Sequence, residues 1–148
     1  MVLMENVYAK VLLKEVNLKK TGILNKDISE IVASMGHTDM ITVCDAGLPI
    51  PPSVKRIDLS VKPGIPKFLD VLSSLAEELE VESIILAEEL KQKKPGLLNE
   101  VAEIFPGVQI DFISHENFKM RTSKSRAFIR TGECTPYSNV ILVSGVIF

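Results

Sequence analysis

Residues 40–52 read Met-Ile-Thr-Val-Cys-Asp-Ala-Gly-Leu-Pro-Ile-Pro-Pro. The first five are apolar or β-favouring, and Asp45-Ala46-Gly47 closes them off. A short apolar run bounded by turn residues is the pattern of a strand buried on both faces. Leu48 to Pro52 then holds three prolines, whose fixed φ makes a rigid loop. A strand buried on both sides needs cover on both sides, so helices are expected above and below it.

The flanking sequence supplies them. Upstream, Asn25 is a good N-cap, Ile28, Ile31, Val32 and Met35 recur at helical spacing, and Gly36 ends the helix. Downstream, Arg56 to Ser60 reads as a second strand. Pro66 opens a helix that carries Phe68, Leu69, Leu72, Leu75, Ala76 and Leu79 on one face. Ser83 to Ala87 is a third buried strand, and Leu97 to Phe105 is an amphipathic segment stopped by Pro106-Gly107. Val108, Ile110 and Phe112 alternate in a strand that ends near Ser114. Glu116 to Ser123 reads as a short helix or turn, and Ala127 to Arg130 and Val140 to Val143 as the last strands. The alternation predicts an α/β fold: a three-layer α/β/α sandwich with a mostly parallel, mixed sheet in a single domain.

Composition narrows the function. Hydrophobic residues make up 46% of 148 and the net charge is −2, which suits a globular core and no nucleic-acid partner. Lys91 to Lys94 follows two glutamates and reads as a solvated helix end. No apolar run is long enough to span a membrane, and the first residues lack the features of a signal peptide, so the expected location is the cytoplasm. Two cysteines and two histidines in the whole chain form no zinc pattern, and neither GxGxxG nor GxxxxGK[ST] occurs. The expectation is an activity with no metal and no cofactor.

Open α/β sheets bind small ligands beyond the carboxyl ends of their strands, which directs attention to Asp45 and His115. A carboxylate closing an apolar strand is costly unless it is hydrogen-bonded or faces a cleft; its plainer role is an Asx-turn into Ala46-Gly47. His115 is a partner for the same cleft or an exposed loop residue. His37, in Gly36-His37-Thr38-Asp39, is either a proton-transfer group or a side chain favoured by the preceding helix end, and Asp39 either orients its ring or simply caps a turn. Gly132 to Asn139 is dense in polar groups, of which Tyr137 and Asn139 either hydrogen-bond the hydroxyls of a ligand or serve ordinary turn chemistry around Pro136. Cys44 reads as core. Glu88 and Glu89 could form an acid/base pair, but adjacent helix-entry glutamates are more often solvated.

Four motifs occur in order: Leu24-Asn25-Lys26-Asp27-Ile28-Ser29, Gly36-His37-Thr38-Asp39, Val43 to Pro51 and Ile129 to Asn139. Together they resemble the ribose/fucose mutarotase family, in its ribose branch, from about Lys19 to Phe148. The resemblance implies conversion of ribopyranose to ribofuranose without a cofactor. It makes His37 the catalytic histidine, and Asp45, His115 and the Tyr137-Ser138-Asn139 stretch the residues that bind D-ribose. It further implies a homo-oligomer, a decamer of two pentameric rings with the sugar site between subunits. A fucose mutarotase that interconverts anomers, and a non-catalytic sugar-binding protein, are the alternatives.

The two chain ends carry expectations of their own. Val140 to Phe148 has almost nothing for water to solvate, and burying Val146, Ile147 and Phe148 is worth about 1.5–3 kcal/mol each. The tail is therefore expected either to dock on a neighbouring subunit, coupled to the site through adjacent Tyr137 and Asn139, or to be an inner strand of its own subunit. At the other end, residues 18–148 read as the domain and residues 1–17 as an extension. Leu18-Lys19-Lys20 stands where the family begins Met-Lys-Lys, and leucine is what a TTG start codon encodes when read internally. Lys14-Glu15-Val16 fits AAG-GAG-GTN, which resembles a bacterial ribosome-binding sequence. Met1 to Asn17 is thus expected to be a translated leader, the alternative being a true helix with Val7, Val11 and Leu12 on its apolar side. The intact mass of the protein from its native host should exclude Met1 to Asn17; a mass that includes them ends the idea.

Overall fold

The computed structural model describes residues 19–148. The expected leader, with its alternative helix, lies outside the described residues.

Six strands form one sheet: β1 (Met40–Cys44), β2 (Lys55–Asp58), β3 (Val81–Ala87), β4 (Gln109–Ile113), β5 (Ala127–Arg130) and β6 (Val140–Ser144). Their order is β2-β5-β1-β6-β3-β4. β1 and β2 pair parallel with β5, and β3 pairs parallel with β4, whereas β6 is antiparallel to both of its neighbours, β1 and β3. Five strands therefore point one way and β6 alone points back. The helices are α1 (Lys26–Ser34), α2 (Phe68–Ala76), α3 (Glu88–Lys93), α4 (Pro95–Ile104) and α5 (His115–Thr122).

Alternation along each strand splits the core in two. Val43, Ile84, Leu86, Ile129 and Leu142 face one layer, where Ile28 and Ile31 of α1, Phe68, Leu72 and Leu75 of α2, Leu90 of α3 and Val101 of α4 pack on them. Cys44, Ile85, Phe128 and Ile141 face the other, covered by Leu48 of the proline loop and Phe118 of α5. This is the expected three-layer mixed sandwich. Some boundaries differ. The second helix starts at Phe68 rather than Pro66, because the Phe68 amide is capped from a distance by the Glu133 carboxylate at 3.2 Å. His115 opens α5 rather than ending a strand, with Ser114 as the N-cap.

The polarity of β6 also corrects the reading of the tail. Val140–Ser144 is the inner strand, fully paired on both sides, but Val146 to Phe148 runs off the sheet, with Ile147 88% and Phe148 99% exposed. The tail does not adjoin Tyr137 and Asn139 in space. β6 spans about 16 Å between them at 3.2–3.4 Å per residue. It leaves the sheet beside Thr38, whose amide donates to Ser144 O at 2.8 Å.

Leu142 and Ile141 lie on opposite faces of the strand that joins both halves of the sheet, and both are fully buried. Leu142→Ala should cost about 2–5 kcal/mol of unfolding free energy by urea titration. A loss under 1 kcal/mol would mean β6 is not the centre of the core.

Candidate active site

The carboxyl end of β1 is joined to the start of β6 by a reciprocal pair of hydrogen bonds. The Asp45 amide donates to Asn139 Oδ1 at 2.8 Å, and Asn139 Nδ2 donates to Asp45 Oδ2 at 3.2 Å. The Gly47 amide donates to Asp45 Oδ1 at 3.0 Å, closing the Asx-turn. Partial burial pushes the Asp45 carboxyl above its ordinary value, against the opposing pull of the Gly47 amide, Asn139, the Leu48 amide and nearby His115. The turn and the cleft are thus not alternatives: the carboxylate does both.

A cleft of about 570 Å³, within the size range of small-molecule sites, opens here between Asp45 to Pro49, His115, Glu133, Cys134, Pro136, Tyr137 and Asn139. His115 packs edge-on to the Tyr137 ring at 5.2 Å and stacks on Phe118 at 6.4 Å. Its backbone amide is held by both oxygens of Glu89, at 3.1 and 3.0 Å. Its buried Nδ1 has no hydrogen-bond partner among the described residues. Tyr137 sits at φ +64°, a conformation that costs a side-chain-bearing residue about 1–2 kcal/mol. Lys93 Nζ donates to its hydroxyl at 3.3 Å and lies 5.2 Å from its ring centre. Ser138 does not line the cleft. It is buried below it, and its Oγ also lacks a partner among the described residues.

The wall is braced from outside. Gly132 lies so close to Ile65 that a Cβ would collide with the Ile65 carbonyl oxygen. The Ala46 amide donates to Glu133 O at 2.8 Å, and Thr131 donates to Cys44 O through both its amide and its hydroxyl. Burial, with the Asp45 charge adding, pushes the Cys44 thiol up to about 12, which leaves it an inert core group; Cys134 is exposed at the cleft.

His37 is not in this cleft. It precedes β1, whereas Asp45 follows it, so the length of the strand separates them by about 16 Å. At that opposite edge His37 Nε2 lies 2.8 Å from Glu82 Oε2. Asp39 does not orient the ring: it accepts from the Gly36 amide and from Arg126, both at 2.8 Å. The structure therefore gathers Asp45, His115, Tyr137 and Asn139 in one place and leaves His37 apart.

Residues 18–147 match the model of the RbsD / FucU transport protein family. The chain belongs to this family. A relative named D-ribose pyranase from Lactobacillus gasseri is 52% identical over 131 residues, 88% of this chain and 100% of the relative. One of the same name from Vibrio campbellii is 48% identical over 139 residues, again with 88% and 100% covered. The structure of Bacillus subtilis RbsD complexed with D-ribose superposes with a TM-score of 0.85 at 48% identity, covering 88% of this chain and 100% of that one. The fucose mutarotase of Streptococcus pneumoniae in complex with L-fucose shares the fold, with a TM-score of 0.69 at 24% identity over 84% and 94% of the two chains.

For a member of this family the cleft offers a carboxylate, an imidazole and a phenol around one small volume, enough to accept one proton and donate another. Three of its supports escaped the sequence reading: Glu89, taken for a solvated residue, Lys93 and Glu133. Glu89 and Lys93 lie at helix ends and Glu133 in the loop before β6, and only its spatial partner distinguishes each from surface charge. Among the described residues no helix is long and apolar enough to cross a membrane.

The raised carboxyl of Asp45 has a signed consequence. The folded chain keeps this proton where the unfolded chain, at the ordinary value of 3.8, has already lost it. The stability owed to this group is therefore greatest at low pH and falls as pH rises through the interval between the two values. In urea unfolding from about pH 3 to 6, the wild-type stability minus that of Asp45→Asn should decline with pH. A difference that stays level or rises contradicts the assignment.

Proposed function

We propose that this chain is an isomerase that interconverts the pyranose and furanose forms of free D-ribose by acid–base ring opening and reclosure. The observation that carries this is the Asp45–His115–Tyr137 cleft in a chain half identical to relatives named D-ribose pyranase along their whole length. A base takes the proton of the anomeric hydroxyl while an acid protonates the ring oxygen, and the ring opens to the aldehyde. After rotation, the neighbouring chain hydroxyl attacks the carbonyl carbon. It gives up its proton as the carbonyl oxygen gains one, so no atom is added or lost. Each step breaks or makes one bond between the anomeric carbon and an oxygen with two proton transfers and no change of oxidation state, so acid–base side chains suffice and no metal or nucleotide is called for. Asp45 and Asn139 hold sugar hydroxyls, His115 and Tyr137 wall the ring, and Ser138 carries the backbone between Tyr137 and Asn139. Such placed groups contribute about 10²–10⁴-fold each.

His37 then acts on the sugar held by a neighbouring copy. It stands, with an exposed ring, on the edge where Val146 to Phe148 also emerge uncovered. Apolar residues left bare at that end of the sheet are what a subunit contact would bury. This agrees with the homodecamer of two pentameric rings, in the cytoplasm, that the family resemblance implies.

Saturation-transfer NMR on equilibrating ribose measures the reaction directly. The protein should speed pyranose–furanose exchange of ribose more than anomer exchange of fucose; the reverse preference, or no acceleration, overturns the assignment. His37→Ala and Asp45→Asn should each lose about 10²–10⁴-fold. Oligomers reassembled from a mixture of the two inactive variants should regain part of the activity, because some clefts then meet an intact His37. A mixture that stays silent while each variant still assembles would show that the site does not cross subunits.

A further inference from the structure

We infer that Glu82 is a positioning residue for the proton-transfer histidine: it fixes the tautomer of His37 and turns Nδ1 toward the sugar. The inference rests on the reading of His37 given above.

Three observations converge on this pair. The Glu82 carboxylate lies 2.8 Å from His37 Nε2. A carboxylate only accepts, so Nε2 carries the shared proton, and in the neutral ring the lone pair falls on Nδ1. That nitrogen is then the one able to take a proton from substrate. Once it does, the carboxylate faces an imidazolium, as an orienting acid does in hydrolytic triads.

Secondly, Glu82 occupies an irregularity in the sheet. Against β6, Val81 pairs with Ser144 and Ser83 with Val143, so the register shifts at Glu82. A bulge of this kind re-aims the side chain it carries and recurs beside functional sites. Opposite it stands Gly145, where a Cβ would come within 3.1 Å of Glu82 Cβ. The missing side chain makes room for the bulge.

Thirdly, the turn that presents His37 is pinned at several points. Asp39 binds the Gly36 amide and Arg126, the Asp39 amide donates to Gly36 O at 3.1 Å, and the Thr38 and Ser144 amides tie the turn to the end of β6 at 2.8 Å each. Thr38 is held at φ +70°. A strained, over-determined turn that ends in a solvent-exposed side chain is arranged to place that side chain. As an exposed contact between two surface side chains it adds little to stability, so removing it should leave the fold intact.

The test uses the full chain. Glu82→Gln and Glu82→Ala should lower ribose exchange about 10–100-fold, the range for losing a group that orients a working histidine, with ribose affinity and oligomer size unchanged. In a His37→Ala background the same changes should have no further effect. The chain has two histidines, so ¹⁵N spectra of selectively labelled protein resolve both rings, and the His37→Ala spectrum assigns them. Wild-type His37 should show the Nε2–H form and Glu82→Ala a mixed population. If Glu82→Gln and Glu82→Ala match wild type in both rate and tautomer, the inference fails, whatever His37→Ala does. If His37→Ala itself keeps full exchange, the catalytic reading fails instead, and the tautomer measurement still decides whether Glu82 orients the ring.

Discussion

The pairing of Val140–Ser144 against β1 on one side and β3 on the other, antiparallel to both, governs which end of the sheet the Gly132 to Asn139 segment and the chain's tail each occupy. Were β6 parallel to its neighbours, the Gly132 to Asn139 segment would enter from the edge where His37 lies, and Asp45 and His115 would face empty solvent. Because β6 runs back, its incoming loop meets the carboxyl ends of β1 and β4. The hydrophobic core fixes which face each residue takes: Ile141 and Leu142 fill opposite layers, and both do so without exposure.

At each edge, polar geometry is held by more contacts than the backbone alone requires. A half-buried carboxylate is unfavourable unless donors surround it, and Asp45 has three. Tyr137 and Thr38 both occupy left-handed backbone, one at each end of the sheet, and each is fastened to a neighbouring strand end or helix. The two stressed residues adjoin the two stretches that carry chemistry. Strain of this sort persists only where surrounding structure over-determines it.

Strands β1, β3, β5 and β6 were legible as short apolar runs and β4 as an alternation, signals that need no knowledge of partners. The same holds for α1, whose Asn25 cap accepts from the Ile28 amide as its sequence position suggests. What escaped the reading was relational. Nothing local tells Val140–Ser144 which way to run, and the edge on which the tail and His37 emerge follows from that direction. Glu82 and Glu89 lie in acidic runs that look alike in sequence, yet one meets an imidazole ring and the other a helix amide. Asp39 stood nearer His37 in sequence than Glu82 does, but its carboxylate is engaged by Gly36 and Arg126. Asp45 was legible as a site residue for a physical reason: an unpaired carboxylate cannot end an apolar strand at no cost. Ser138 was carried along by its neighbours, and the structure turns it inward.

On the proposed reading, in which His37 acts on the sugar of a neighbouring copy, a cleft at one end of the sheet and a histidine at the other have a stoichiometric meaning. Each chain then gives one group and takes one. In an open row of such copies, the first has a histidine with nothing to act on, and the last has a cleft that nothing completes. Only an arrangement that closes on itself, as symmetric oligomers do, leaves neither surplus, so the count of whole reaction centres then equals the count of chains.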